Sequence, residues 1–416
     1  MKPRIWGSSL LLWAAFVLVS VWLGWQGYVA EAVPYGDVSF VYEMWAAQAA
    51  QGAGTIGIDT VWVYPVLALV PILLPLLAGQ GSYALGWVVL VTGLNAVAFA
   101  YLLYSARGST RNKVQRVAAW WWLAFLLLLG PIAVARLDSV ITPLAIVGLL
   151  AAVERPALAG ALLTIATWIK VSPAALIAAV LVAVDRRKKV FISVLVTSGV
   201  IVAIAVILGG ASNLFSFLGQ QTTRGLQIEA PLATPFLWLA ALGQEGYAVY
   251  YDTVILTFQV SGEGANIAAD LSSVLIALGF VGILGWGMLL HHKGSNPSHV
   301  LPAVALALTM VLIVFNKVGS PQYIGWLAAP IIAGLVMERV RFVAPAVVAL
   351  VLAALTQSFY PYLYAGLLNV QPLELSLLTL RNIGEVVLLA VSVWIPYESK
   401  PKATSLPYNL AGSVEL

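Results

Sequence analysis

The stretch Asp185-Arg186-Arg187-Lys188-Lys189 is followed directly by the apolar run VFISVLVTSGVIVAIAVIL at 190–208. This run has the length of a membrane-spanning helix, which needs about 20 mostly apolar residues. Basic residues before such a run mark its cytoplasmic end, because cytoplasmic loops carry an excess of lysine and arginine. The stretch therefore predicts a helix that starts at the cytoplasmic surface and crosses the membrane.

The whole chain has the composition of a membrane protein. It has 416 residues, of which 61% are hydrophobic and 9% are charged, and its mean hydropathy is +0.96. Soluble domains are typically about 45–50% apolar and about 25% charged. Lipid offers the backbone no hydrogen-bond partner, and the apolar runs are continuous rather than alternating, so the spans are predicted to be helices. The absence of cysteine excludes disulfides and thiolate metal sites.

Apolar runs and basic loops together predict an all-α polytopic fold with about twelve spans and both termini in the cytoplasm. The first run, 5–27, is longer than a signal-peptide core and is interpreted as an uncleaved span. The run 63–78 is short and rich in proline, so we expect it to re-enter or lie obliquely, with a full crossing as the alternative. The other predicted spans are 83–104, 117–135, 139–153, 157–169, 172–184, 190–208, 267–290, 299–315, 324–337, 342–357 and 377–395.

We interpret 1–416 as one membrane-embedded domain with three segments outside the spans. The first outer loop, 28–61, contains a predicted interfacial helix at 38–51 with Val41, Met44 and Trp45 facing lipid. The long outer loop, 209–267, contains two apolar segments, 231–242 and 248–260, which we expect to be partly embedded helices. The polar segment 397–416 is predicted to be a cytoplasmic tail.

Four basic residues at predicted outer ends break the orientation bias of the other charges: Arg136, Lys170, Arg224 and Lys317. Each abuts an apolar span, where a charge costs on the order of a few kcal/mol unless it is paired or near water. The acids on the same face are Asp37, Asp138 and Glu229. Such a group suits an anionic lipid headgroup with a base beside it.

Each of these charges also has a structural interpretation. Arg136 and Asp138 are close enough in sequence to form a local ion pair. Lys170 and Lys317 could extend to the headgroups without any chemical role, and Glu229 could cap a following helix. The histidines are a weak signal for a metal site, because His291 and His292 lie beside Lys293 in a predicted inner loop.

One early acid lies in an aromatic setting, in Pro34-Tyr35-Gly36-Asp37-Val38-Ser39-Phe40-Val41-Tyr42-Glu43-Met44-Trp45. Aromatic residues of this kind mark the depth of the membrane interface. We interpret Asp37 as a catalytic base held at the membrane surface, with a solvated loop acid as the alternative.

Other function classes leave little trace in the sequence. There is no Gly-rich phosphate loop, no HExxH and no basic nucleic-acid patch. A transporter or lipid flippase, the leading alternative, places ionisable residues near the membrane midplane and often has inverted repeats. We interpret the predicted spans as free of mid-span acids, and no repeat is visible. A non-catalytic membrane scaffold is the second alternative.

Several stretches resemble the GT-C glycosyltransferases of the polyprenyl-phosphate-sugar type, specifically family 87 of actinobacteria. They are Tyr35-Gly36-Asp37-Val38 through Tyr42 with the later Tyr64-Pro65, Arg136-Leu137-Asp138, Ile169-Lys170-Val171-Ser172-Pro173, and Arg224-Gly225-Leu226-Gln227-Ile228-Glu229. The stretch Asn316-Lys317-Val318-Gly319-Ser320-Pro321-Gln322-Tyr323, followed by Trp326, is similar to one in the eukaryotic GPI mannosyltransferases, which use dolichyl-phosphate-mannose.

The resemblance implies a GT-C-like fold and an inverting transfer of mannose from polyprenyl-phosphate-mannose to a lipid-linked glycan acceptor on the outer face of the cell membrane. Arabinofuranose on the same carrier stays open as the sugar. The implied partners are the two lipid-linked substrates and membrane lipids, without nucleic acid. No cofactor and no obligatory metal are implied, and the first loop lacks an Asp-x-Asp pair, since Asp37 is followed by Val38 and Ser39.

The resemblance also assigns roles to residues. Asp37 is expected to be the general base. Lys170, Arg224 and Lys317 are expected to face the donor phosphate, and Gln227, Glu229 and Gln322 to hold sugar hydroxyls. The full set expected to bind substrate is Tyr35, Tyr42, Glu43, Asp59, Tyr64, Arg136, Asp138, Lys170, Arg224, Gln227, Glu229, Lys317, Gln322 and Tyr323.

Overall fold

The computed structural model describes residues 8–30, 33–79, 81–104, 109–220, 224–253 and 255–395. This part of the chain is mostly helical, with a single β-hairpin among the described residues, which confirms the expected all-α polytopic fold. The helices are α1 (Ser9–Val29), α2 (Glu43–Ala50), α3 (Leu69–Leu73), α4 (Tyr83–Tyr104), α5 (Ser109–Leu129), α6 (Asp138–Ala151), α7 (Pro156–Ile169), α8 (Ala174–Ala183), α9 (Arg187–Ile207), α10 (Ser216–Gly219), α11 (Thr234–Ala241), α12 (Ala265–His292), α13 (Pro297–Val314), α14 (Ala328–Met337), α15 (Val343–Gln357), α16 (Tyr364–Leu368) and α17 (Pro372–Trp394).

Short irregular helices connect or extend several of these elements. Six are 3₁₀ segments and two are π-helical, and the π segments lie at Asp37–Tyr42 and Ser358–Tyr362. The 3₁₀ segments are Val66–Ala68, Leu74–Ala78, Gly130–Val134, Gly210–Ser212, Pro231–Ala233 and Pro321–Leu327.

Eight helical segments of the described chain are long and apolar enough to cross a membrane: Ser9–Val29, Tyr83–Tyr104, Lys113–Val134, Arg187–Ile207, Ala265–His292, Pro297–Val314, Val343–Tyr362 and Pro372–Trp394. Six shorter apolar segments accompany them. Four of these, Asp138–Ala151, Pro156–Ile169, Ala174–Ala183 and Pro321–Met337, coincide with expected spans. The start of the first predicted span, before Ser8, and the expected tail 397–416 lie outside the described residues.

The helix α13 forms the centre of the bundle. Nearly all of its residues are buried, and it packs against α8, α12, α14 and α17. By contrast, α9 and α12 keep many large apolar side chains exposed, as expected for helices that face lipid. The loop that follows α13, and with it Lys317, is therefore held at one end of the best-packed helix of the protein.

The proline-rich run 63–78 returns to the end of the bundle from which it starts. Three prolines break it into Val66–Ala68, α3 and Leu74–Ala78, since a proline ring interrupts regular helical hydrogen bonding. Its return is fixed by Tyr83, whose hydroxyl donates to the carbonyl of Ile72 at 2.8 Å. The next turn of α4 stays at the same end, because Trp87 Nε1 donates to the carbonyl of Val134 at 2.8 Å. The segment thus starts and ends at the same end of the bundle, and its re-entry into the membrane there stays a prediction.

The segment 248–260, expected to be a partly embedded helix, is instead a β-hairpin, so that prediction was wrong. Strands β1 (Ala248–Asp252) and β2 (Thr257–Ser261) pair antiparallel. Its valine and aromatic residues favour a β-strand, in which successive side chains point to opposite faces of the sheet. The companion prediction for 231–242 is close to the structure, where Pro231–Ala233 and α11 are helical.

The interfacial helix expected at 38–51 exists as the π segment Asp37–Tyr42 followed by α2. Its orientation differs from the one expected. Met44 is 47% exposed, whereas Val41 and Trp45 pack against the hydrophobic core. Tyr42 and Val38 are fully buried on the same side, so the helix lies over the bundle and carries Asp37 at its start.

Candidate active site

Asp37 forms an ion pair with Arg136 across two loops that are far apart in sequence. Arg136 Nε lies 3.0 Å from Asp37 Oδ2, and the Asp37 side chain is 38% exposed. Arg136 Nη1 also donates to the carbonyl of Pro34 at 2.6 Å, which ties the guanidinium to the loop just before Asp37. The local pair between Arg136 and Asp138 is therefore not formed, and Arg136 positions the first loop instead.

Asp138 begins α6 and is occupied by a second cation. Lys170 Nζ lies 2.8 and 2.6 Å from its two carboxylate oxygens, and Trp326 Nε1 donates to Oδ1 at 2.6 Å. Lys170 reaches this position because α7 ends at Ile169 and Pro173 prevents the helix from continuing. The side chains of Lys170 and Asp138 are 15% and 5% exposed, so Lys170 is paired inside the protein and does not extend to the headgroups.

Aromatic side chains connect the two ion pairs. Tyr323 stacks on Trp326 with ring centroids 4.1 Å apart, and Lys170 Nζ lies 5.2 Å above the Tyr323 ring. Burial, together with the nearby Asp37 and Asp138 carboxylates, raises the pKa of Tyr64 to about 12. Tyr64 is thus a neutral phenol between the two acids. Tyr42 is buried against Trp45 and Trp87.

The stretches 224–229 and 316–323 pack against each other through their backbones. The amide of Gln227 donates to the carbonyl of Lys317 at 2.9 Å. Gly319 lies directly against the backbone of the Glu229 loop, since an added Cβ would overlap the backbone nitrogen of Ala230. On its other side the loop joins the hairpin, because Val260 donates to the carbonyl of Leu226 at 3.0 Å. Glycine is therefore required at 319 for this close approach.

Glu229 is buried within this arrangement and does not cap the following helix. Its Oε1 accepts a hydrogen bond from the Tyr364 hydroxyl at 2.7 Å. Burial raises the pKa of the Glu229 carboxyl, although the Tyr364 hydrogen bond partly opposes this. The following 3₁₀ segment has Ala230 at its N-cap and no side-chain cap.

A groove with a cavity volume of about 430 Å³ joins several of these residues and extends between the helices. At the site it is lined by Tyr64, Lys170, Lys317, Tyr323 and Trp326. Farther along, its walls are apolar and come from Ile276, Phe280 and Leu312 of α12 and α13. Burial lowers the pKa of Lys317, with Arg224 acting in the same direction and Asp270 opposing it. The groove thus combines cations at one end with an apolar channel at the other.

Three other residues expected to bind substrate have contacts within the first loop or with the helices beside it. Tyr35 is buried against Gly27 of α1. Glu43 lies near Tyr83 of α4, and Asp59 is exposed and accepts a hydrogen bond from the Thr55 amide at 2.6 Å. These three residues shape the first loop and are not joined to the ion pairs by any described hydrogen bond.

Arg224 and Gln322 have the least determined surroundings among the expected residues. Within the described chain, Arg224 Nε is buried and lacks a hydrogen-bond partner. The Arg224 charge is close enough to Lys317 and Tyr323 to affect their pKa values. Gln322 is half-buried in the 3₁₀ segment Pro321–Leu327 beside Tyr323.

Two charged residues of α17 were missed, and the interpretation that no acid lies mid-span was wrong. Arg381 and Glu385 are 1% and 0% exposed and form an ion pair one helical turn apart. Arg381 Nη2 also donates to the carbonyl of Glu229 at 2.9 Å. The available signal was a pair of opposite charges four residues apart in an otherwise apolar run, a spacing that places both on one helix face.

Comparison with known proteins gives one match. The model of glycosyltransferase family 87 matches residues 62–256 of the chain. The matched region contains Tyr64, Arg136, Asp138, Lys170, Arg224, Gln227 and Glu229, whereas Asp37, Lys317 and Arg381 lie outside it. No curated protein and no solved structure matches the chain. The match supports the family that the sequence motifs resemble.

Proposed function

We propose that the chain is a membrane glycosyltransferase of family 87, within the GT-C superfamily, because the model of that family matches residues 62–256. Its proposed donor is polyprenyl-phosphate-mannose and its proposed acceptor is a lipid-linked glycan. In this proposal Asp37 is the general base and the sugar is transferred with inversion. Polyprenyl-phosphate-arabinofuranose is the alternative donor. The observation that carries the proposal is the partly exposed Asp37–Arg136 pair beside a groove that holds Lys170 and Lys317.

The groove suits a lipid phosphate. A polyprenyl chain is apolar and fits the walls from α12 and α13, while its phosphate needs positive charge at the mouth. Lys317 lines the groove, and Arg224 is close to it. Lys170 also lines the groove, but its charge is shared with Asp138. We therefore assign Lys170, together with Lys317 and Arg224, to the phosphate, and we expect the pairing with Asp138 to reduce the share that Lys170 carries.

Asp37 has the accessibility that a base requires. Arg136 Nε engages only Oδ2, and no described hydrogen bond occupies Oδ1, so this oxygen is available to an acceptor hydroxyl. As the acceptor oxygen bonds to the anomeric carbon, its proton passes to Asp37. The bond between that carbon and the phosphate oxygen breaks, and its electron pair leaves with the polyprenyl phosphate. The groove cations stabilise this growing negative charge, and the step uses no cofactor.

The proposed location is the cell membrane, with the site on the outer face and both termini in the cytoplasm. The basic residues at the start of α9 and Lys293 at the end of α12 lie at the bundle end opposite to the site. This distribution supports the orientation, because cytoplasmic loops are enriched in basic residues. The partners under this proposal are the two lipid-linked substrates and the surrounding lipids.

A transfer assay tests the proposal. Purified protein in lipid nanodiscs is supplied with radiolabelled polyprenyl-phosphate-mannose and a glycolipid extract, and labelled glycolipid is measured. We expect transfer by the wild type and none above background by Asp37→Ala. Glu245→Ala is the control, because Glu245 is an exposed acid of the long outer loop outside the expected site, and it should keep wild-type transfer.

The other possible results of the transfer assay each favour a different interpretation. Full activity of Asp37→Ala would remove Asp37 as the base. Transfer from the arabinofuranose donor alone would replace mannose as the sugar. Movement of the labelled donor across the bilayer without sugar transfer would favour a lipid flippase, and binding alone would favour a scaffold.

A further inference from the structure

The buried ion pair in α17 lies directly below the two loops that carry the site motifs. Arg381 and Glu385 are enclosed in an apolar helix, where charged side chains are costly and often serve a function. The match to family 87 ends at residue 256 and does not include them. Their contacts give a specific role to the arginine.

Arg381 touches both loops with a single planar group. Its Nη2 donates to the carbonyl of Glu229 at 2.9 Å and faces the carbonyl of Gly319 at 3.5 Å. Its Nη1 is held by Glu385 at 2.5 Å, and the guanidinium lies 5.3 Å from the centre of the Phe359 ring. The fixed fork of a guanidinium can bridge two carbonyls in this way, whereas a lysine ammonium holds them less rigidly.

The two loops carry the cations of the groove. Glu229 ends the stretch that begins at Arg224, and Gly319 follows Lys317 by two residues. The loops already meet through the Gln227 amide and the Lys317 carbonyl, and Arg381 closes the contact from the membrane side. The spacing between Arg224 and Lys317 therefore depends on a residue that reaches neither the groove nor Asp37.

We propose that Arg381 is a positioning residue that sets the spacing between the Arg224 and Lys317 loops and thereby the affinity for the lipid phosphate. This role rests on the proposed function, in which those cations hold the donor phosphate. A small displacement of either loop would weaken the phosphate site, because misplacement by about 1 Å can reduce catalysis by ~10²-fold.

The alternative is that the pair only stabilises α17, and a double variant separates the two roles. Arg381→Leu alone leaves the Glu385 charge buried without a partner, so we expect it to unfold at a lower temperature. Arg381→Leu/Glu385→Leu removes both charges, and replacement of a buried pair by apolar residues is often neutral for stability. The double variant should regain the wild-type Tm but not the bridge between the loops.

The experiment measures Tm, the Kd for polyprenyl phosphate and the donor KM in the same nanodisc preparations. For the double variant we expect a wild-type Tm with Kd and KM raised ~10-fold, a loss of about 1.4 kcal/mol in binding. Ser392→Ala is the control, since Ser392 is also buried in α17 but bonds only to Leu389 within the helix. It should leave all three values unchanged.

A second comparison isolates the positioning role. Lys317→Gln should weaken phosphate binding less in the double variant than in the wild type, because residues that act through one another are not additive. Wild-type Kd in a stable double variant, or full additivity with Lys317→Gln, would overturn the role of Arg381. A wild type that binds polyprenyl phosphate but transfers no sugar would contradict the proposed function alone, because the ratio of the Kd values would still decide the positioning role.

Discussion

Two ion pairs lie side by side at the start of α6, and they differ in how completely their acids are engaged. Both carboxylate oxygens of Asp138 accept hydrogen bonds from Lys170, and one also accepts a hydrogen bond from Trp326. The Asp138 side chain is 5% exposed. Asp37 is held through one oxygen by Arg136 and is 38% exposed. The two acids belong to the same constellation of charges but are available to a substrate to very different degrees.

This difference indicates a structural role for Asp138 and a chemical role for Asp37 within the same site. A carboxylate with both oxygens occupied in a buried setting fixes the positions of its partners, here the end of α7 and the segment around Trp326. A carboxylate with one open oxygen at a surface can accept a proton from a hydroxyl. We therefore expect Asp138 substitutions to act mainly on stability and Asp37 substitutions to act mainly on transfer.

The largest effect on stability is expected for Asp138→Asn. Lys170 would lose its counter-ion inside the protein, and breaking a buried pair by removal of one partner costs about 3–5 kcal/mol. The measurement is the free energy of unfolding in mixed detergent micelles. Asp138→Leu/Lys170→Leu should recover most of the loss, since no unpaired charge remains. A loss below ~1 kcal/mol for Asp138→Asn would mean that the pair behaves as an exposed one.

An intermediate effect is expected for Lys317→Gln on donor binding. A hydrogen bond to a charged group contributes about 1.5–3 kcal/mol, so the donor KM should rise at least ~10-fold. The control is Lys293→Gln, because Lys293 follows the other end of α12, away from the groove. Equal KM values for the two variants would show that Lys317 does not contact the donor.

The smallest effect is expected for Asp37→Asn on stability, although the variant should not transfer sugar. The Arg136 side chain is only 13% exposed, but the Asp37 side chain is 38% exposed, so water can replace part of the lost contact. Arg136 also keeps its hydrogen bond to the Pro34 carbonyl. The loss of unfolding free energy in the same micelles should therefore be smaller than that of Asp138→Asn, on the order of 1–2 kcal/mol. A loss as large as that of Asp138→Asn would mean that Asp37 is a structural acid after all.

Much of the fold and part of the site were predictable from the sequence. The spans follow from apolar runs and basic loops, which act locally and leave a clear pattern. The gathering of Asp37, Arg136, Asp138 and Lys170 at one end also follows, since each lies at the end of a span. The pairing of these charges could not be predicted, because Arg136 pairs with Asp37, which is distant in sequence, rather than with its near neighbour Asp138.

The errors share a physical cause. The hairpin at 248–261 is apolar enough to resemble an embedded helix, and only its pairing with the Leu226 loop reveals the strand. Arg381 and Glu385 neutralise each other within one turn of α17, so the run around them stays apolar on average. Both features depend on contacts between distant segments, which a linear reading of composition does not capture.

The most direct test of the account is a structure with a non-reactive polyprenyl-phosphonate-mannose bound. We predict the phosphonate in the groove beside Lys317 and Lys170, the lipid chain between α12 and α13, and an acceptor oxygen position within about 3–3.5 Å of the anomeric carbon on the Asp37 side. A phosphonate bound at the Lys188 and Lys293 end of the bundle, or a sugar turned away from Asp37, would contradict it.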